Sequence, residues 1–107
     1  MHIQIVTFRL TGLSHEAFGA LCDGLAPTFA AVPGLLSKVW LASPGTNTYG
    51  GVYTWRDREA MEAFTRSELF AGIGAHPNFA GVTATDFGVL EGPTRVTSGP
   101  VPDAAAA

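Results

Sequence analysis

Alternation of apolar and polar side chains along the chain predicts four strands separated by helical stretches. The opening run His2–Leu10 (HIQIVTFRL) is rich in β-branched and aromatic residues, with Ile3 and Ile5 on one side and Val6, Phe8 and Leu10 on the other. Both faces of that strand read as buried. Thr11 and Gly12 break it, and Ser14 is placed to cap a helix whose apolar positions Phe18, Leu21, Cys22, Leu25, Phe29 and Val32 recur at three-to-four spacing. Pro27 is expected to kink that helix or to end its first segment. After Pro33-Gly34, the second strand runs from Leu35 to Ala42, and neither of its faces is plainly polar.

Ser43–Asn47 reads as a hairpin loop leading to a third strand, Thr48–Trp55, which places Tyr49, Gly51, Tyr53 and Trp55 on one face. The adjacent Gly50 and Gly51 weaken a strand, and such a pair marks a bulge or a place where another backbone or a ligand comes close. Asp57 is a helix N-cap for an amphipathic segment carrying Ala60, Met61 and Phe64, with a restart at Ser67 and a stop at Gly72 and Gly74. The last strand is expected from Ala80 to Leu90, long enough for its far end to reach a neighbouring subunit. The order βαββαβ predicts a ferredoxin-like α+β domain over residues 1–91, a four-stranded antiparallel sheet with helices on one face. Residues 92–107, GPTRVTSGPVPDAAAA, read as a C-terminal arm or disordered tail.

Helices on one face leave the other bare, and here both faces are apolar, so a lone sheet would expose a large hydrophobic patch. Homodimerisation through that face is the expected remedy. Composition points the same way, because 47% of the 107 residues are hydrophobic and only 14% charged, against about 25% in typical domains. A formal net charge of −3, with six Lys and Arg none of which are neighbours, lacks the basic stripe that nucleic acid requires. No apolar run approaches the roughly 20 residues of a bilayer span, and no secretory signal is visible, so the cytoplasm is the expected location. The single Cys22 and three scattered histidines provide no metal-ligand cluster, and no cofactor is expected.

Pro33-Gly34-Leu35 with Lys38-Val39-Trp40, then Gly50-Gly51-Val52-Tyr53, then Asp86-Phe87-Gly88-Val89 together resemble the YdhR-type monooxygenase family, of the dimeric α+β barrel superfamily. The resemblance covers residues 33–91 directly, and element order extends it to residue 2. It implies a barrel formed by two subunits' sheets and kinship to small enzymes that oxygenate aromatic substrates without metal or flavin. Haem degradation, cyclisation and isomerisation also occur on this fold, and no catalytic residue is carried across.

Candidate residues therefore come from the chemistry itself. A cofactor-free oxygenase needs a flat apolar slot, a group that takes a proton, and donors that stabilise an oxyanion. Trp40, Tyr53 and Trp55 are candidates for the slot, with Phe18, Phe29 and Phe64 contributed by the helices, each with core packing as the competing role. Tyr53 is the candidate donor and His76, in a loop before Pro77, the candidate acid or base. Lys38, set between Leu36 and Trp40, is a candidate substrate contact; its competing role is a structural ion pair with Asp86 or with a partner subunit. His2 and His15 are expected at the surface, and Gln4 and Arg9, on opposite faces of the first strand, at an exposed edge. The expected function is a cofactor-independent monooxygenase, or a related cyclase or isomerase, acting on a small aromatic or polyketide-like molecule. The alternative is a dimeric small-molecule-binding module without catalysis, since no acid, base and nucleophile constellation is recognisable.

Overall fold

A computed structural model describes residues 1–97 of the chain. Four strands, β1 (His2–Leu10), β2 (Leu35–Ser43), β3 (Thr48–Trp55) and β4 (Phe79–Gly88), form one antiparallel sheet in the order β2-β3-β1-β4. Helix α1 (His15–Ala30) connects β1 to β2, and α2 (Arg58–Thr65) and α3 (Glu68–Ala75) connect β3 to β4. This is the ferredoxin-like βαββαβ arrangement, with α2 and α3 as two halves of one crossover.

Local chemistry explains the helix starts. The Ser14 hydroxyl accepts from the Ala17 N–H at 3.1 Å, the Asp57 carboxylate from the Ala60 N–H at 2.8 Å, and the Ser67 hydroxyl from the Phe70 N–H at 3.2 Å. Each satisfies a donor that has no partner within its helix. The β2–β3 loop is fastened by Asn47, which sits in the left-handed region at φ 48° and pairs with the Leu10 backbone through both side-chain atoms, at 3.2 and 3.0 Å.

Strand register decides which alternating set is covered. His2, Gln4, Val6, Phe8 and Leu10 face the helices and are buried, together with Tyr49, Tyr53 and Trp55 of β3. Phe18 and Phe29 of α1 and Met61 and Phe64 of α2 pack onto them. The opposite face runs Val39–Val52–Ile5–Thr85 across all four strands, with the row Thr54–Ile3–Phe87 beside it. Among the described residues no helix covers this second face, where Val39 is 59% and Phe87 55% exposed.

Several expectations are corrected. Pro27 does not end α1, which continues to Ala30; the missing N–H costs one intrahelical bond and the packed Phe29 holds the last turn. His2 is buried rather than at the surface, its Nε2 2.6 Å from the Asp86 carboxylate. Gln4 is 2% exposed rather than at an edge, because β1 is an inner strand and Gln4 shares the alternation of Val6 and Phe8. Its amide oxygen accepts from the Trp55 indole N–H at 3.2 Å. The last strand stops at Gly88, and a short helix α4 (Glu91–Val96) follows where the arm was expected to begin. The rest of that arm, residues 98–107, lies outside the described residues.

The glycine pair has separate roles at its two positions. Gly50, at φ 155°, lies where a Cβ would stand 1.8 Å from the Val6 carbonyl oxygen, so β1 and β3 approach this closely only without a side chain. Gly50→Ala is expected to cost about 3 kcal/mol or more in urea unfolding, whereas Gly19→Ala, in open space on α1, should gain roughly 0.5–1 kcal/mol. Equal effects from the two substitutions would contradict this packing.

Candidate functional site

The covered face of the sheet carries an unusual transverse row. Register aligns Lys38 of β2, Tyr53 of β3, Gln4 of β1 and Asp86 of β4 side by side on the face that the helices cover. An ammonium, a phenol, an amide and a carboxylate thus cross an otherwise apolar layer. At one end His2 holds Asp86, and in the middle Trp55 holds Gln4. At the other end Lys38 does not reach Asp86, because two strands stand between β2 and β4. The expected Lys38–Asp86 pair is therefore absent.

Lys38 is instead enclosed by aromatic faces. Its Nζ lies 3.4 Å from the Phe29 ring centroid, 3.4 Å from that of Trp40 and 4.7 Å from that of Tyr53. Gly51 makes this possible, since a Cβ there would come 2.8 Å from Lys38 Cε. Among the described residues Nζ has neither a hydrogen-bond partner nor a carboxylate. Loss of hydration pushes its pKa down to about 7, opposed by the neighbouring Cys22. Ring quadrupoles also favour the charged form, so the amine sits where both protonation states are accessible near neutrality. Burial raises the Cys22 thiol, against the pull of Lys38, and it raises the Tyr53 phenol, which therefore stays protonated.

These side chains line a narrow cavity between α1, α3 and the sheet, walled by Phe18, Cys22, Phe29, Trp40, Tyr53 and Phe79 among others. Its volume of about 30 Å³ admits about one water and no aromatic ring. Two outer grooves adjoin it at the Trp40 ring, one of about 230 Å³ that also reaches Lys38 and one of about 290 Å³ along α1.

Of the residues expected at a site, Lys38, Trp40 and Tyr53 line one cavity. Trp55, fully buried, stacks on Tyr53 with centroids 5.9 Å apart, and Phe64 packs on both rings, so these two back the cavity without lining it. His76 lies elsewhere. It stacks on the outer side of Phe79 at 4.1 Å, while Phe8 stacks on Phe79 at 4.2 Å, and its Nδ1 accepts from the Asn78 N–H at 3.1 Å. Phe79 thus separates it from Lys38, and His76 opens onto a groove of about 250 Å³ beside α3. Phe18 and Phe29, expected as helix contributions to the slot, do line the cavity, whereas Cys22 beside them was expected only as packing. Its signal lay in facing the one lysine of the chain, which no one-dimensional pattern shows.

This site lies within a recognisable sequence family. The family described as "Putative mono-oxygenase ydhR" matches residues 3–100. The chain belongs to the YdhR family. No curated protein matches it in sequence. Solved structures share its fold. A haem degrader, MhuD of Mycobacterium tuberculosis with two haems bound, is 20% identical with a TM-score of 0.67 over 84% of this chain and 96% of its own. SnoaB, a cofactor-independent oxygenase from Streptomyces nogalater, is 18% identical with a TM-score of 0.64, over 83% and 93%. An antibiotic biosynthesis monooxygenase from Deinococcus radiodurans, also described as putative, matches at 18%, 0.64, 83% and 92%. Among the described residues of this YdhR family member, no group of three or more His, Cys, Asp or Glu is placed to hold a metal, and no helix is long and apolar enough to cross a membrane.

The state of Lys38 has a consequence for stability. Below about pH 7 the ammonium is present in both the folded and unfolded chain and its burial penalty is complete; between 7 and 10.5 the folded chain sheds that proton while the unfolded chain keeps it. Stability contributed at this position therefore rises with pH over that window. Lys38→Met should raise the melting temperature at pH 6 by on the order of 5 °C, with the gain shrinking toward pH 10. A loss of stability at every pH would mean that the rings more than compensate the ammonium for lost water.

Proposed function

We propose that this YdhR family protein is a cofactor-independent oxygenase, or a related cyclase or isomerase, acting on a small aromatic or polyketide-like substrate at the Lys38 cavity. The observation that carries the reading is an amine with no counter-ion or hydrogen-bond partner among the described residues, lodged between ring faces in an apolar cavity. Family membership and a fold shared with SnoaB lend it support. Such an amine is a proton acceptor at neutral pH, and once protonated it faces the oxyanion it has made.

For an anthrone-type substrate, the steps run as follows. Neutral Lys38 takes a proton from the activated carbon or its enol, leaving an enolate beside the ammonium. The enolate passes one electron to dioxygen, and the resulting radical and superoxide combine to form a carbon–oxygen bond. The peroxide takes a proton back from Lys38 and then loses water with the remaining C–H hydrogen, giving the quinone carbonyl. One dioxygen is consumed and one water released, so the balance closes without another reductant. Tyr53, kept protonated by burial, donates to the substrate oxygen. Trp40 and the ring of Phe29 supply the flat walls, with Trp55 and Phe64 holding Tyr53 in place. His76, in the outer groove beyond Phe79, takes no part in these steps. Entry of a ring requires Trp40 to swing, which joins the cavity to the grooves on either side.

Oxygen uptake with anthrone and quinol substrates tests the reading. Turnover should rise with pH through about 7, fall by roughly 100-fold or more in Lys38→Met, and fall less in Tyr53→Phe. Ligand retained in native mass spectrometry but never converted would instead identify a binding module. A shifted Soret band on titration with haem, coupled to haem loss under a reductant, would point to haem degradation.

We also propose that the uncovered sheet face pairs with a second copy of the chain. The row Val39–Val52–Ile5–Thr85 is β-branched and free of charge, and a facing sheet would remove its apolar surface from water. Light scattering should give twice the 11.2 kDa chain mass, and Ile5→Asp should give monomer. A monomeric parent protein at micromolar concentration would exclude the pairing.

A further inference from the structure

Lys38 is the only lysine in the chain, and the fold lays its stem half-buried against ring faces while solvent still reaches its ammonium. It also forms part of two spaces, the inner cavity and the groove of about 230 Å³ between the end of α1 and the start of β2. That groove is walled by Ala26, Ala30, Leu35 and Leu36, and has room for a small apolar molecule lying against the amine. The amine lacks the hydrogen bonds and counter-ion that would hold it as a structural cation, as set out above.

We propose that Lys38 is an imine-forming lysine, whose amine condenses with the aldehyde or ketone of a small apolar or aromatic carbonyl compound seated in this groove. Three features of the geometry favour that chemistry. An amine without a hydrogen-bond donor duty or a carboxylate partner keeps its lone pair free for attack on carbon. The Phe29, Trp40 and Tyr53 ring faces that surround the ammonium would equally surround the iminium that replaces it. The carbonyl compound itself would fill the groove beside the amine and so displace water from that side of the product. The depressed basicity of Lys38 adds to these, because it raises the fraction of neutral amine at pH 7.

The step balances simply. Nζ forms a bond to the carbonyl carbon, the carbonyl oxygen takes two protons from nitrogen by way of the carbinolamine, and water leaves. Starting from the ammonium, the product is an iminium of the same charge, so no net charge enters the cavity. The Tyr53 hydroxyl lines the same cavity and is positioned as a donor to the carbinolamine oxygen. This inference holds or fails separately from the oxygenase reading, since imine formation consumes no dioxygen.

The single lysine makes the test unambiguous. The full chain is incubated anaerobically at pH 7 with salicylaldehyde and sodium cyanoborohydride, then analysed by intact mass and peptide mapping, with a guanidinium-unfolded sample in parallel. The expected result is one hydroxybenzyl group on Lys38, formed roughly 10-fold or more faster in the native chain than in the unfolded one, where lysine is almost wholly protonated. Without reductant, the native chain should develop salicylaldimine absorbance that Lys38→Arg lacks while retaining its melting transition. Modification confined to the α-amino group, or Lys38 labelled no faster than in guanidinium, would overturn the proposal.

Discussion

The close approach of backbone and side chains over Gly50 and Gly51 is the constraint on which both the sheet and the cavity depend. Position 50 lets β1 and β3 meet where the Val6 carbonyl leaves no room for a Cβ. Position 51 leaves a gap on the covered face, and the Lys38 stem fills it. A side chain at 51 would require the Lys38 stem to shift, since a Cβ there would stand 2.8 Å from its Cε. The aromatic enclosure, the low basicity and the small cavity are all consequences of that vacancy on the sheet.

A buried ammonium is costly unless something replaces its hydration. Here three ring faces do so in part, without the carboxylate that usually accompanies a buried cation. The result is a group whose pKa is pushed down to about 7 beside an apolar space, mainly by lost hydration. The contrast within the same transverse row is informative. Asp86 and Gln4 are satisfied by His2 and Trp55, and they read as structure; Lys38 is not satisfied, and it is the member of the row that borders open space.

The two faces of the sheet divide the molecule's tasks. The covered face holds the aromatic core and the cavity, and the uncovered face presents β-branched residues and threonines with Phe87 at one corner. Rings that looked interchangeable in sequence are therefore not equivalent. Trp40 sits on the edge strand β2 with grooves on both sides, so it has space to move, whereas Trp55 on the inner strand β3 has none. Both grooves, and with them the approach to the cavity, lie at that edge.

Periodicity, helix caps and glycine–proline breaks by themselves determined the order of elements, the ferredoxin-like class and the presence of two apolar sheet faces, because each of these is a local property written in neighbouring residues. The Gly50-Gly51 pair could likewise be read as a place of close approach. What approaches it could not, since Val6 and Lys38 meet those glycines only through strand register. The covered face was undecidable from alternation, as Ile3 and Ile5 are as apolar as Val6 and Phe8; only packing of Phe18, Phe29 and Phe64 against one set chose between them. The same packing buried His2 and Gln4, parted His76 from Tyr53 by the ring of Phe79, and turned the one lysine inward. These outcomes belong to tertiary structure because burial and contact depend on which distant residues share a face, and no single strand or helix carries that information.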